Sequence, residues 1–484
     1  MEDFDFDSEL LPIDRHIRVY MPYSGLNYRS VVERVRDFNE VVIQYTPEEA
    51  MVEAARCIHC PHPEPCIEAC PLHNDIPAAL WLIEQGEFIN AAEIFRRTTT
   101  FPEVCGRVCP QEHLCEGSCV HNARGEAIHI GACEFFCADY EREHAEVKIK
   151  TGVPTGFRVA VVGGGPSGLA CAELLVSLGH EVTIFEAKPL PGGLLLYGIP
   201  GFKMSNRIVY MKLNELSNAG VKFVTNTTVG KDVTVDALFQ QGFQAVYLAI
   251  GAGVDVPLNA PGEDLPGVFE ATEFLLRANV DLDKLPKNLQ PTRPEVGKRV
   301  VVVGGGDTAS DCERTALRLG AEKVICMYRR TEREMPGSRK DRGLAQQEGT
   351  EWLYLTQPVR FIAGEDGKLA SVECIRMELG QPDARGRRQP VPVEGSNFTV
   401  EADTAVLALG FSAYPIIGET TPGLKTHRGG LIVIDQKTGA TSRPGVFAGG
   451  DGVTGPALVV TAGADGRRAA WGIHNYLNNL PRNQ

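Results

Sequence analysis

The chain has 484 residues, 43% hydrophobic and 23% charged, enough for roughly two to four domains with ordinary cores. A formal net charge of −14 argues against a nucleic-acid surface, and no apolar run approaches the roughly 18 residues of a membrane span. The acidic opening, MEDFDFDSEL, is neither a secretory signal nor a transit peptide, which makes a cytoplasmic protein the expectation.

Fourteen cysteines are present, and ten of them fall between Cys57 and Cys137. In a reducing compartment clustered thiols hold metal more often than they form disulfides. Residues 1–45 carry little signal. Thr46-Pro47-Glu48-Glu49 opens a helix, with Thr46 as cap, Pro47 at the first helical position and Glu49 closing a capping box. The first cysteine set follows as Cys57-x2-Cys60-x5-Cys66-x3-Cys70-Pro71, then an amphipathic helical pair over about 76–97. The second set is Cys105-x3-Cys109-Pro110-x4-Cys115-x3-Cys119. Ferredoxin-type runs use three close cysteines for one cluster and a fourth, before Pro, for another, so two sets imply two iron–sulfur clusters that share ligands between them. Structural zinc is the rival, but it favours paired C-x2-C knuckles and only one such pair exists. Cys133 and Cys137, four apart on an expected helix, are either ligands or buried thiols. His59, His62, His73 and His113 suit surface positions or places behind the ligands, since cysteine already meets the metal's need.

Residues 141–156, charged and then rich in Thr, Gly and Pro, read as a linker and a domain boundary. Next comes an apolar strand over 159–162, the turn Gly163-Gly164-Gly165-Pro166-Ser167-Gly168, and a helix of small residues. These glycines fit G-x-G-x-x-G, in which the helix N-terminus meets a pyrophosphate. A second strand ends in Glu186, eighteen residues past Gly168, where an acid can bind a ribose diol. Gly193-Leu194, in a glycine-rich turn, could lie against a planar ring or form a plain loop, and Gly251 closes another buried strand as a further cofactor candidate.

A second dinucleotide unit begins near Lys298, with the turn Gly304-Gly305-Gly306-Asp307-Thr308-Ala309. Its second strand ends in Tyr328-Arg329-Arg330 rather than an acid, and guanidinium groups there favour the 2′-phosphate of NADP(H) over NAD(H). The other reading is a solvated basic turn. A last strand delivers Gly450-Asp451 toward a polar cofactor tail.

The candidate flavin residues are therefore Gly163, Gly165, Pro166, Ser167, Gly168, Glu186, Gly193, Leu194, Gly251, Gly450 and Asp451. The candidate NADPH residues are Gly304, Gly306, Asp307, Thr308, Arg329 and Arg330. The fold expected is α/β: two Rossmann-like domains of glutathione-reductase type, an FAD domain over 153–290 and 412–484 and an NADPH domain over 291–411, preceded by a helical two-cluster [4Fe–4S] domain over 1–152. No side chain need act as acid or base, because the cofactors carry the chemistry. Disulfide reductases share this architecture but need a close cysteine pair at the flavin, and Cys171, Cys312, Cys326 and Cys374 stand singly in the sequence.

The segments PEVCGRVCPQEHLCEGSC, VVGGGPSGLACAELL, PGGLLLYGIPGFK, VVGGGDTASDCERTA, YRRTEREMPGS and GVFAGGD carry a resemblance. Over nearly its full length the chain resembles the small (beta) subunit family of NADPH-dependent glutamate synthase. The iron–sulfur part of dihydropyrimidine dehydrogenase and the large subunit of bifurcating ferredoxin:NADP oxidoreductases look similar too. The resemblance implies that Cys57, Cys60, Cys66 and Cys119 hold one [4Fe–4S] cluster and that Cys70, Cys109, Cys115 and Glu134 hold the other. Cys105 would stand by. Cys133 beside Glu134, an extra residue between Cys60 and Cys66, and Leu196 are departures from the pattern. The function implied is transfer from NADPH through FAD and the clusters to a partner, in a hetero-oligomer. That partner would be a large FMN-containing glutaminase and synthase subunit, or, in the alternative, ferredoxin or a small flavoprotein subunit of a ferredoxin-linked oxidoreductase. A non-catalytic scaffold with decayed sites is the third reading. The chain has no N-terminal nucleophilic cysteine for glutamine hydrolysis, so glutamate formation would need the partner.

Overall fold

The computed structural model of the protein describes residues 13–281, 284–285, 293–383, 386–427 and 429–480. The first sheet is parallel and five-stranded, in the order Val446–Ala448, Ala245–Leu248, Arg158–Val162, Glu181–Phe185, Lys222–Val224. Its central strands are near-continuous apolar runs because helices cover both faces, and an alternating pattern would put polar groups into the core. Helix Pro166–Ser177 packs along the C-terminal helix Val459–Asn478 on one side. That helix carries Gly466, where any side chain would collide with the Ser167 backbone.

The second sheet repeats the scheme in the order Thr350–Tyr354, Lys323–Tyr328, Arg299–Val303, Thr404–Leu407, Val268–Glu270, again all parallel. Its edge strand Val268–Glu270 lies inside the span assigned from sequence to the flavin domain. The strand pairs with Thr404–Leu407, so the second unit begins ahead of Val268 and not at 291. The chain crosses between units at a short antiparallel pair, Val254–Asp255 with Phe411–Ser412. Between the last two strands of this unit lies an antiparallel sheet, Thr356–Ala363, Leu369–Pro382, Arg388–Pro392 and Phe398–Glu401, in a stretch where the sequence reading named no element.

The N-terminal layer is helical. Helix Pro47–Ala55 starts at the expected capping box, with Thr46 accepting from Glu49 N and the Glu49 carboxylate reaching back to Thr46 N. The expected pair is Ile76–Glu84 and Phe88–Thr98, and Ile130–His144 packs across Phe88–Thr98 and Pro102–Val108. Phe88 meets Phe136 and Tyr140 edge-on in the core. After His144 an extended segment is fastened to the first sheet's helix by Gly152 N to Val176 O and Thr155 N to Gly179 O. Phe101 and Val104 join the core of the first sheet with Leu195, Leu196 and Tyr197, which ties the helical layer to the first dinucleotide unit.

Candidate functional site

Strand Arg158–Val162 runs directly into the first glycine turn. Gly163 has φ +102, a conformation that L side chains rarely adopt, and a Cβ on Gly168 would collide with Gly163 O, so the helix can pack onto the strand only without one. Gly165 lies against the backbone of Gly193, where a Cβ on Gly193 would come within 2.7 Å of its Cα, and with Pro166 and Ser167 it puts a helix N-terminus at the wall of a cleft of ≈ 420 Å³. All the candidate flavin residues except Gly168 line this cleft, and Gly168 sits behind it as the packing glycine. Glu186 closes one end. Its carboxylate accepts from Gly164 N and Lys188 N, each at 2.8 Å, and burial pushes its pKa up. At the other end burial pushes Asp451 up to about 6. Asp465, paired with Arg468 at 2.7 Å, accepts from Gly450 N at 2.9 Å and so fixes the loop that carries Asp451.

Sequence reasoning missed several of the lining residues. Lys188 lies over the Tyr197 ring at 4.5 Å, and Thr227, Tyr414 and Leu458 come from three further segments. Lys188 was visible as the second residue after Glu186, whereas the others carry no local signal. Beneath the turn, Ser167 Oγ and the buried Tyr247 hydroxyl are 2.6 Å apart, joining the helix start to the neighbouring strand.

The second turn has the same geometry, with Gly306 facing open space. Asp307, however, is engaged by protein: its carboxylate accepts from Ser338 N at 2.7 Å and holds the segment Met335 to Ser338 against the turn. Arg329 is exposed, while Arg330 is buried and donates from Nε to Arg388 O at 2.7 Å. The two arginines, just beyond the strand, thus differ in exposure and in partner, with Arg330 taken up by a backbone carbonyl.

The cysteines separate into two groups. Cys57, Cys60, Cys66 and Cys119 line one small apolar cavity with Ile58, Pro77 and Leu80. Cys70, Cys109, Cys115 and Glu134 lie within electrostatic reach of one another, and the Cys105 thiol hydrogen-bonds Cys109. Burial pushes Cys57 up to about 12 and Cys70 up to about 11, so thiolates here require cationic charge beside them. Among the described residues no three His, Cys, Asp or Glu close on a single-ion position. Iron–sulfur clusters are held by sets of Cys thiolates, which the donor sets of both groups fit, the second with Glu134 in place of a fourth thiolate. Glu134 is buried, its pKa pushed well up by burial, and Asn74 Nδ2 donates to it at 3.5 Å. Cys133 and Cys137 belong to the apolar core of the helical layer. Of the histidines, His59 is fully buried edge-on to Trp81, while His62 is exposed beside Glu64.

Residues 157–466 match the model of the pyridine nucleotide-disulphide oxidoreductases, and residues 34–146 match the dihydropyrimidine dehydrogenase domain II, 4Fe-4S cluster model. The chain belongs to the pyridine nucleotide-disulphide oxidoreductase family. The expected order of an iron–sulfur domain ahead of two dinucleotide-binding domains is thereby borne out. The chain is 40% identical over 465 residues to the glutamate synthase [NADPH] small chain of Escherichia coli, covering 95% of this chain and 97% of that one. It is 40% identical over 455 residues to the putative oxidoreductase AegA of the same organism, covering 93% and 69%. It is 38% identical over 437 residues to the NADP(+)-dependent formate dehydrogenase subunit beta of Moorella thermoacetica, covering 85% and 60%. Among solved structures, FprA of Mycobacterium tuberculosis in complex with NADPH shares the fold, with TM-score 0.56, 22% identity, and coverage of 67% of this chain and 85% of that one. Among the described residues that line the cleft none is a cysteine, and Cys171, Cys312, Cys326 and Cys374 are buried and unbridged. No helix among the described residues is long and apolar enough to cross a membrane.

Proposed function

We propose that the chain is the electron-input subunit of an NADPH-dependent flavin and iron–sulfur oxidoreductase, and that its partner is the large, glutamine-using subunit of a glutamate synthase. The observation that carries this reading is the sharing of one core by the cleft and the cysteine layer. Phe101 and Val104, which lead into Cys105 and Cys109, pack with Leu195, Leu196 and Tyr197, which follow the cleft residues Gly193 and Leu194. The match to the Escherichia coli small chain, nearly complete on both sides, supports the choice of partner.

FAD held in the cleft would supply two-electron hydride acceptance from NADPH and one-electron donation to iron–sulfur clusters. The chain's own residues supply position and field. The N-terminus of helix Pro166–Ser177 would offer its N–H groups to the flavin diphosphate, and Glu186, held by two backbone donors, would take the ribose hydroxyls. Cys57, Cys60, Cys66 and Cys119 would hold one [4Fe–4S] cluster, and Cys70, Cys109, Cys115 and Glu134 the other. Glycines 304 and 306 and the start of helix Asp307–Arg318 would take the NADPH diphosphate, and Arg329 the 2′-phosphate.

The alternative is the large subunit of a ferredoxin-linked NAD(P)H oxidoreductase, supported by the 38% identity to a subunit of an NADP(+)-dependent formate dehydrogenase, an NADP-linked enzyme other than glutamate synthase. The test is anaerobic affinity purification from the native host, followed by an NADPH oxidation assay. Co-purification of a large FMN subunit, with oxidation that requires glutamine and 2-oxoglutarate, is the expected result. A small flavoprotein partner with NADPH-linked ferredoxin reduction and no response to glutamine would overturn the choice of partner. A preparation without flavin or iron would overturn the oxidoreductase reading itself.

A further inference from the structure

The antiparallel sheet inserted in the second unit sends a hairpin, strands Leu369–Pro382 and Arg388–Pro392, back over the second glycine turn. The hairpin closes between Asp383 and Arg387, with Asp383 N donating to Arg387 O at 2.8 Å and Arg387 N to Asp383 Oδ1 at 3.0 Å. Arg387 leaves that closure toward the end of strand Lys323–Tyr328. Its Nη2 donates to the Tyr328 hydroxyl at 3.1 Å and to Glu334 O at 3.4 Å. Tyr328 is itself part of the nucleotide turn, since a Cβ on Gly305 would come within 2.6 Å of its ring. Arg387 thus reaches, through one side chain, the floor of the turn that Arg329 flanks.

Three features of Arg387 ask for an anionic ligand. No ion pair links Arg387, Arg329 or Arg330 to a carboxylate among the described residues, so three guanidinium groups gather with their charge uncompensated. Of the acids around it, Asp383 accepts from the Arg387 backbone N and not from its guanidinium in any hydrogen bond among the described residues, Glu334 accepts from Thr331 N at 3.2 Å and Thr331 Oγ1 at 2.5 Å, and Glu332 faces Arg342. Arg387 Nε is buried with no hydrogen-bond partner. Electrostatics agree, since burial first and then Arg330 and Arg387 push the Arg329 guanidinium below its ordinary pKa. A phosphate monoester at this place would relieve that repulsion and accept from two forks at once.

We propose that Arg387, delivered by the hairpin, is the second guanidinium of the 2′-phosphate pocket and acts with Arg329. Arg330 anchors the hairpin through Arg388 O instead of touching the nucleotide. This inference rests on the NADPH reading and adds a specificity residue to it.

The test is equilibrium binding of adenosine 2′,5′-bisphosphate and adenosine 5′-monophosphate to the cofactor-loaded protein by calorimetry. Wild type binds the bisphosphate more tightly than the monophosphate by at least about tenfold. Arg387→Gln loses about tenfold for the bisphosphate and leaves the monophosphate unchanged, Arg329→Gln does the same, and Arg387→Lys keeps part of the preference because it keeps the charge without the fork. If Arg387→Gln retains the full preference while Arg329→Gln loses it, the inference is overturned and the NADPH reading stands. Equal weakening of both ligands by Arg387→Gln would make it a structural residue and also overturn the inference. Equal affinity of the wild type for both ligands would overturn the NADPH reading itself.

Discussion

Lys203 Nζ stands 2.9 Å from Asp341 Oδ2 and joins the two dinucleotide units through a buried ion pair. Lys203 ends the segment that follows the flavin cleft, and Asp341 lies in helix Arg339–Glu348 of the second unit. Asp311 adds a second carboxylate at 3.1 Å. Burial alone would lower the Lys203 pKa, but the Asp311 and Asp341 carboxylates outweigh it and keep the ammonium charged. Beside this pair Phe202 packs under Arg314 and Arg318, whose partner Glu348 also binds Arg34 at 3.0 Å. Three parts of the chain meet there. Lys203→Met leaves two buried carboxylates facing each other, and the expected cost is about 3–5 kcal/mol of stability. It should also slow flavin reduction by NADPH, because the second unit loses its fixed seat. Denaturant unfolding and rapid mixing check this, and an unchanged midpoint would contradict it.

The acid limb of stability should run through Glu103. Burial alone would raise its pKa, but Arg96 and Arg142, each at 2.5 Å, outweigh burial and hold it at about 2 against an ordinary 4.5. A folded pKa below the unfolded one contributes stability that is complete above 4.5 and is lost as pH falls through about 2. Thermal melts from pH 6 down to pH 2 should show this loss in wild type. In Glu103→Gln the melting temperature is already low at neutral pH and the acid limb is flatter.

Glu313 works in the opposite direction. It is buried in the second unit with no nitrogen or oxygen donor to either carboxylate oxygen, only the Cys326 thiol beside it, and burial pushes its pKa up to about 7. A folded pKa above the unfolded one costs nothing below 4.5, and its penalty grows until it is complete above about 7. Glu313→Gln should therefore stabilise the protein at pH 8, by on the order of 2–3 kcal/mol, and have little effect near pH 5. Melting temperatures at the two pH values decide it.

The fourth ligand of the second cluster can be read from iron content. Glu134 faces Cys109 and Cys70, whereas Cys133 is enclosed in the apolar core. Glu134→Ala should lower iron per flavin by up to about half, and Cys133→Ala should leave it unchanged. Loss of iron in Cys133→Ala with iron retained in Glu134→Ala would reverse the assignment.

The glycine turns and Glu186 were legible in the sequence because each belongs to a local device: a turn that needs positive φ, a close helix–strand contact, an acid at a fixed distance beyond them. The thiol spacing gave only two sets that share ligands, and the division into Cys57, Cys60, Cys66, Cys119 and Cys70, Cys109, Cys115, Glu134 came from the family resemblance. Elements assembled from distant segments were not legible. Val268–Glu270 is three residues long and acquires its sheet only by pairing with Thr404–Leu407, far along the chain. Arg330 looked equivalent to Arg329 because its carbonyl partner, Arg388 O, comes from a distant hairpin, and Arg387 is brought to Tyr328 by the same hairpin without a motif. Asp307 sits in the turn pattern as a nucleotide contact, yet its carboxylate is spent on Ser338 N, a partner that only the fold supplies.

The most direct test of the electron path is anaerobic rapid mixing of the purified, cofactor-loaded protein with NADPH or NADH, following flavin absorbance. The proposed NADPH site at the second turn predicts that NADPH bleaches the flavin within a single turnover, and that NADH does so only at concentrations at least about tenfold higher. A flavin that stays oxidised under excess NADPH would contradict it.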